Sequence, residues 1–313
     1  MPDTDSDTDP PAGMWPRSAR APRQRTRGPQ RPTRGPQRTT GVRRVVPLIL
    51  GWVELPKACS VHGAPPEQRL REPVPGVLVE VDGGWVLLDT GYNPALLRDP
   101  ALYRRFHGRF AGVVPQLPPG ADDPLLEALA RTGVPVPAVD AVAVSHLHSD
   151  HTGGIRHFAG QTPVHLQRAE LAWAQADPAE AEANGRARVD YDDPAIDWQL
   201  ADGDVEVAPG IEAVATPGHT PGHQSFVVRY DGAVGGGGFV FAFDAADLTE
   251  NLVHESPIGE TIGVDPAASV AQIRRLKAIA ARQHLRLVPG HDPDVWPRLV
   301  RDLAVSDGVP QPD

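Results

Sequence analysis

Residues 145–154 read Ser-His-Leu-His-Ser-Asp-His-Thr-Gly-Gly. They place His146, His148, Asp150 and His151 within six positions, directly after the apolar segment 139–144 and just before Gly153 and Gly154. Neutral imidazole and carboxylate are ligands for borderline and harder divalent cations, so the composition points to zinc, manganese or iron and away from a soft thiolate site. A lone histidine is more often an ordinary polar residue than a ligand. Four potential ligands this close together at a strand end need a different explanation, and metal ligation supplies it.

Upstream, residues 77–81, the turn Asp82-Gly83-Gly84 and residues 85–89 carry a hairpin signature. The second strand delivers Asp89 to the mouth of a sheet, where it is either a turn former or the residue that orients a metal-bound histidine. Residues 92–123, rich in Pro and Arg and holding Tyr103, Phe106 and Phe110, read as a substrate-side loop or short helices. Residues 124–131 form a short amphipathic helix with Pro124 in its first turn and Gly133 as its stop.

Downstream, residues 163–166 read as a strand and 168–175 as a helix. Residues 176–198 are a polar insertion whose acids, Asp177, Glu180, Glu182, Asp190, Asp192, Asp193 and Asp197, are expected to face water. Strands at 205–207 and 211–215 follow, the second leading into Thr216-Pro217-Gly218-His219-Thr220-Pro221-Gly222-His223. His219, held between Gly218 and Pro221 on a loop, has little reason to be a core residue, whereas His223 is expected to orient that loop. Strands at 226–229 and 239–243 are joined through Gly235–Gly238, a run that lacks the Lys-Ser/Thr of a phosphate loop and reads as a hairpin connection. The second of these strands ends at Asp244. Asp265 caps a helix over 267–281, and a strand at 285–288 ends in Pro289-Gly290-His291-Asp292. Four strand ends thus carry a histidine cluster, a histidine, an aspartate and a histidine, and strand ends converging on one rim are where α/β folds place chemistry.

The chain has 313 residues and 40% hydrophobic content, enough for a substantial core. Its one cysteine, Cys59, allows no intramolecular disulfide and reads as a small packing residue; the composition fits a reducing compartment, and a cytoplasmic location is expected. The net charge of -10 divides unevenly, because residues 1–44 hold ten Arg against four Asp, a balance of +6 that leaves -16 on the remainder. An acidic body argues against broad nucleic-acid contact. No apolar run approaches the roughly 20 residues that span a bilayer. Residues 45–53 follow Arg43-Arg44 as an export signal would, but Pro47, Glu54 and the lack of a small-residue cleavage site favour a first strand. The expected organisation is a disordered Arg/Pro-rich extension over 1–44, with a seven-residue near-repeat at 26–39, a catalytic domain over 45–305 and a flexible tail over 306–313.

The set His146-x-His148-x-Asp150-His151, then Gly218-His219, then Asp244, then Gly290-His291 resembles the metallo-β-lactamase superfamily, in order and rough spacing, over residues 45–297. The resemblance implies an α/β fold, an αββα four-layer sandwich with two metals at one edge. Carried over, it implies that His146, His148 and His219 hold one cation, that Asp150, His151 and His291 hold the other, and that Asp244 bridges them. Residues 243–251, the helix containing residues 273–277 and Gly290-His291-Asp292 are most similar to the N-acyl homoserine lactonase family, the quorum-quenching lactonases. Those enzymes typically carry a Tyr three residues after the bridging Asp, where it supports the substrate carbonyl; this chain has Asp247. Asp247 reads either as a third functional carboxylate selecting a polar or cationic substrate or as a solvated loop residue.

The expected activity is opening of a lactone or related ester. Two divalent cations, zinc foremost, about 3.5–4 Å apart would hold a bridging hydroxide that attacks the carbonyl carbon. Asp150 would move the proton from the attacking water to the leaving oxygen. A glyoxalase II-like thioesterase is the enzymatic alternative, and a non-catalytic binding protein using the Arg-rich tail is the alternative of another class. The expected partner is a small-molecule ester or lactone, with no nucleic acid required, no membrane span, and a homodimer allowed.

Overall fold

Alternation of side chains with a period of two decides how the strands stack. Val77, Val79, Val86, Leu88, Ala141 and Ala143 share one buried cluster with Phe226, Val228, Phe239 and Phe241. Their immediate neighbours Leu78, Leu87 and Val142 belong to a second cluster, while Val227 and Val240 belong to a third. Each strand therefore turns one row of side chains toward an opposing sheet and the other toward helices. Full burial of each such Val, Leu or Phe side chain is worth about 1.5–3 kcal/mol.

The computed structural model describes residues 41–108, 110, 112–230, 232, 237–259 and 265–306. Most of the expected extension (1–40), Gly235 and Gly236 of the expected glycine connection and the end of the tail (307–313) lie outside the described residues, whereas Gly237 and Gly238 already belong to a strand. The elements in order are β1 (Val42–Pro56), α1 (Lys57–Ser60), β2 (Arg69–Val81), β3 (Gly84–Leu88), α2 (Pro94–Arg98), α3 (Pro100–Phe106), β4 (Val114–Gln116), α4 (Pro124–Thr132), β5 (Val139–Ala143), α5 (Ser149–Thr152), β6 (Pro163–Gln167), α6 (Arg168–Ala176), α7 (Pro178–Ala183), β7 (Asp197–Ala201), β8 (Val205–Ala208), β9 (Ile211–Ala215), β10 (Gln224–Tyr230), β11 (Gly237–Phe241), α8 (Thr249–His254), α9 (Pro266–Gln283), β12 (Arg286–Val288) and α10 (Val295–Ser306).

One sheet runs β4-β1-β2-β3-β5-β6-β7 and the other β12-β11-β10-β9-β8. Helices α4 and α6 cover the outer face of the first through Leu125, Leu129, Leu171 and Ala174, and α9 covers the second through Ile273, Leu276 and Ile279. This is the expected αββα sandwich. The pairs β3–β5, β5–β6, β6–β7 and β11–β12 are parallel, so within each sheet the carboxyl ends of paired strands emerge on one side.

Local chemistry sets the boundaries. The Asp82-Gly83 turn closes the β2–β3 hairpin with Gly83 at φ 107, and α4 starts on Asp123 and Pro124 and stops at Gly133 in the left-handed region. Order begins earlier than residue 45, because Val42 pairs with Val81 and Arg44 with Glu80 and both extend the ladder. Ser306 closes α10 and does not open a tail. Helices α8 and α10 have no counterpart in the sequence expectation. The second-sheet strand ends at Phe241, two residues short of the expected end, and Asp244 sits in a tight 3-10 turn over Phe243–Ala245. Residues 176–198 are less of an insertion than expected, since α7 and the start of β7 belong to the fold and Asp190 is buried. No helix among the described residues is long and apolar enough to cross a membrane.

Candidate metal centre

The segment after β5 carries two of its three histidines into a place where water does not reach them, and leaves His148 half-buried at the pocket. His146 and His151 are 0% exposed, and α5 lifts Asp150 and His151 off the sheet rim. The Gly153-Gly154 pair is what lets this turn dock, because a Cβ on Gly153 would stand 1.9 Å from the Asn93 nitrogen. His219 arrives on the loop after β9, Asp244 on the 3-10 turn after β11, and His291 on the loop after β12. Phe243 has φ 45, a left-handed conformation that costs a non-glycine residue roughly 1–3 kcal/mol, and it sits immediately before Asp244.

The structure brings all seven expected ligands together in two adjacent donor groups. His146, His148, His219 and Asp244 offer ligand atoms within 4.8 Å of one another, as do Asp150, His151 and His291. Asp244 faces both groups: Oδ2 lies 3.7 Å from His146 Nε2 and 3.5 Å from His219 Nε2, while Oδ1 lies 3.3 Å from His151 Nε2 and 3.0 Å from His291 Nε2. A carboxylate turned this way can bridge two cations. Nδ1 of His148 lies 2.9 Å from His146 Nε2 and 2.7 Å from His219 Nε2, so three imidazole nitrogens converge on one point.

Whether a cation fits depends on which ring nitrogens hold protons. His291 Nδ1 donates to the Pro73 carbonyl at 2.9 Å, and a carbonyl can only accept, so Nε2 turns toward Asp244. His151 Nδ1 donates to Asp89 Oδ2 at 2.7 Å. The Ser145 hydroxyl donates to the same oxygen at 2.7 Å, which leaves its own oxygen to accept from His146 Nδ1 at 3.0 Å. In all three, the outer nitrogen is occupied and Nε2 faces the centre, the arrangement a metal ligand requires. His151 Nε2 is buried without a hydrogen-bond partner among the described residues.

The electrostatics ask for positive charge at the same place. Burial holds His146 and His148 well below the ordinary imidazole value, so they are neutral donors. At His151 burial also works against charge, but Asp150, Asp244 and Asp89 override it and hold the group well above its ordinary value. Likewise burial opposes, and Asp244, Asp247 and Asp150 outweigh it, at His291. Against burial, His151, His291 and His146 hold Asp244 well below the carboxylate range. A pair of divalent cations meets this demand without protonating ligands, and the donor set of imidazole and carboxylate suits zinc, manganese or iron.

A pocket of about 130 Å³ opens onto the centre. Val53, Leu55, Phe110 and Val113 form an apolar wall, and Asp150, Asp244, Asp247, Glu72, His148, His219 and His291 lie on the polar side. Asp247 is not a solvated loop residue: it is 7% exposed, and burial followed by the neighbouring Asp244 charge pushes its carboxyl well above the ordinary value. His107 also lines the pocket, and burial lowers its imidazole to about 4. Cys59 is half-buried on the same wall. His62, His157, His165, His254 and His284 stay outside it; His157 holds Asp123 at 2.9 Å. His223 is bonded through Nδ1 to Thr216 Oγ1 at 2.9 Å, in keeping with a loop-orienting role, and burial lowers it to about 3.

Some residues that hold the centre were not legible. Glu170, on the buried side of α6, accepts from Leu147 N at 3.1 Å, Thr220 Oγ1 at 2.7 Å and Gly222 N at 3.0 Å, tying the first histidine loop to the one that carries His219. Arg186 stands 3.7 Å from it and 3.5 Å over the Trp173 ring, with no exposed side-chain surface. Nothing in the sequence marks Glu170 beyond a charged residue within an amphipathic helix.

Comparison with known proteins agrees with this geometry. A model of the metallo-beta-lactamase superfamily matches residues 70–291. An N-acyl homoserine lactonase of a Bacillus species is 31% identical over 229 residues, 72% of this chain and 84% of that protein. The N-acyl homoserine lactonase AttM of Azorhizobium caulinodans is 30% identical over 251 residues, 76% of this chain and 90% of that protein. Among solved structures, an N-acyl homoserine lactone hydrolase with N-hexanoyl-L-homoserine bound at its catalytic metal centre superposes with a TM-score of 0.69 at 28% identity, covering 81% of this chain and 94% of that one.

Proposed function

The chain belongs to the metallo-beta-lactamase superfamily and is a metal-dependent hydrolase of that fold; from that premise we propose that it opens a lactone or closely related ester at a centre of two divalent cations, zinc foremost. The observation that carries the reading is Asp244, whose two oxygens face the two donor groups at one pocket mouth. The roughly 30% identity to lactonases supports the substrate class.

When bound, the cations supply a water activated at neutral pH and a polarised substrate carbonyl. The residues of the chain divide the remaining work. His146, His148 and His219 would hold one cation, Asp150, His151 and His291 the other, with Asp244 between them. Asp150 lines the pocket, 3.5 Å from His151 Nε2, and would take the proton of the attacking water and return it to the leaving alkoxide. The apolar wall of Val53, Leu55, Phe110 and Val113 takes the hydrocarbon part of the substrate and keeps bulk water from it. The single cysteine fits cytoplasmic action on a small molecule that diffuses in.

The test is metal analysis of the purified protein together with initial rates on a panel of lactones, aryl esters and glutathione thioesters. Two cations per chain and fastest turnover of lactones are expected. Fewer than two cations in the active enzyme would remove the dinuclear reading, and thioester turnover well above lactone turnover would replace the lactonase with a thioesterase.

A further inference from the structure

Asp247 has no role in the seven-ligand centre, yet it is built into it. One of its carboxylate oxygens lies within 4.8 Å of ligand atoms of both Asp244 and His291, a third donor group that overlaps the second. Its backbone is fixed there, since its carbonyl accepts from His291 N at 2.7 Å and the Ala246 carbonyl accepts from Gly290 N at 2.8 Å. The side chain is more than nine-tenths buried, and Oδ1 meets no hydrogen-bond partner among the described residues. Leaving a buried carboxylate oxygen unmatched is costly unless a cation or a donor answers it. No Lys or Arg is among the described residues that line the pocket, whereas Glu72, Asp150, Asp244 and Asp247 all do. Two divalent cations bring four positive charges against those four carboxylates.

We propose that Asp247 is an additional ligand to the cation held by Asp150, His151 and His291. The two positions then differ in kind. The first offers three imidazoles and one carboxylate oxygen. The second offers two imidazoles and three carboxylates, Asp150, Asp244 and Asp247, an oxygen-rich set that narrows the preference for Zn²⁺ over a harder cation such as Mn²⁺ or Fe²⁺. Of the two positions, the second is thus the one better suited to accept a harder ion. This rests on the two-cation reading of the centre and not on the substrate.

The experiment uses the full chain, loaded with equal Zn²⁺ and Mn²⁺, dialysed against a graded series of chelator concentrations and counted for both metals per chain by mass spectrometry, with no substrate present. Removing a residue that merely supports a ligand weakens metal binding roughly 10–100-fold, so Asp247→Asn is expected to release the second equivalent at free-metal levels at least about tenfold higher, to lose Mn²⁺ ahead of Zn²⁺, and to keep the first equivalent. Asp247→Glu is expected to retain more of the second equivalent than Asp247→Gln, and that pair of equal length makes the comparison if the asparagine variant fails to melt cooperatively. Identical release curves for the native chain and Asp247→Asn, or equal retention by the Glu and Gln variants, would overturn the proposal. Failure to hydrolyse lactones, by contrast, would leave these curves untouched and count only against the lactonase reading.

Discussion

Asp89 Oδ2 lies 2.7 Å from His151 Nδ1, and both side chains are 0% exposed. Burial pushes the Asp89 carboxyl up while His151 and Ser145 pull it down, so the pair is held as a unit. The contact fixes the ring so that Nε2, and not Nδ1, faces Asp150 and Asp244.

Asp89→Asn is expected to keep the fold and weaken metal retention by roughly 10–100-fold, because the amide no longer commits Nδ1 to donating. Competition with a chromogenic chelator measures this. Retention equal to that of the native chain would mean that Asp89 only shapes the turn.

Glu170 and Arg186 predict a larger effect on stability than on chemistry. Glu170→Ala strands the buried Arg186 guanidinium and frees Leu147 N, Thr220 and Gly222 N. Breaking such a pair costs about 3–5 kcal/mol. Denaturant unfolding should show that loss, and a change below about 1 kcal/mol, the scale of an exposed pair, would contradict the burial argument.

Asp190 gives a pH dependence with a definite sign. Burial raises its carboxyl to about 7, with Asn93, Arg156 and Thr152 opposing. An acid whose folded value lies above its unfolded value of about 3.9 favours folding in its neutral form, so its contribution is full below that unfolded value and is lost as pH rises through about 7. Asp190→Asn, which can still accept from Asn93 Nδ2, is expected to gain stability relative to the native chain between pH 4.5 and pH 8, conditions chosen to bracket about 7. Urea midpoints at the two pH values decide it; a constant difference would show that Asp190 does not titrate in this window.

Asp150→Asn tests proton transfer against simple ligation. With metal at saturation and counted in the same sample, kcat on the best lactone is expected to fall about 10²–10⁴-fold. Full recovery on adding metal would reduce Asp150 to a ligand.

The strands were legible because their burial alternates: residues 77–81 and 85–88 show one row for each layer, and the Gly83 turn between them admits one register. The ligands were legible because histidine has few reasons to stand at strand ends, and all seven meet. Asp190 was misread because acid-rich segments are usually solvated and its partner, Asn93, lies 97 positions away. Glu170 was missed for the same reason, its partners at Thr220 and Gly222 being 50 and 52 positions off. The sequence of α10 is amphipathic, yet only the packed structure shows its Trp296 stacked on Phe241 and bonded to the Pro289 carbonyl at 2.9 Å.

That last contact bears on how the protein is made. His291 stands two positions after the carbonyl that Trp296 holds, and α10 packs Leu299 and Leu303 into the same core as Val42 and Val45 from the opening strand. During synthesis the donors emerge over a span from His146 to His291, but the loop bearing the last of them is clamped only when a helix made still later folds back onto the first strand. Cation uptake therefore depends on α10: a chain ending at residue 294 would carry every ligand and still lack the helix that clamps the last of them.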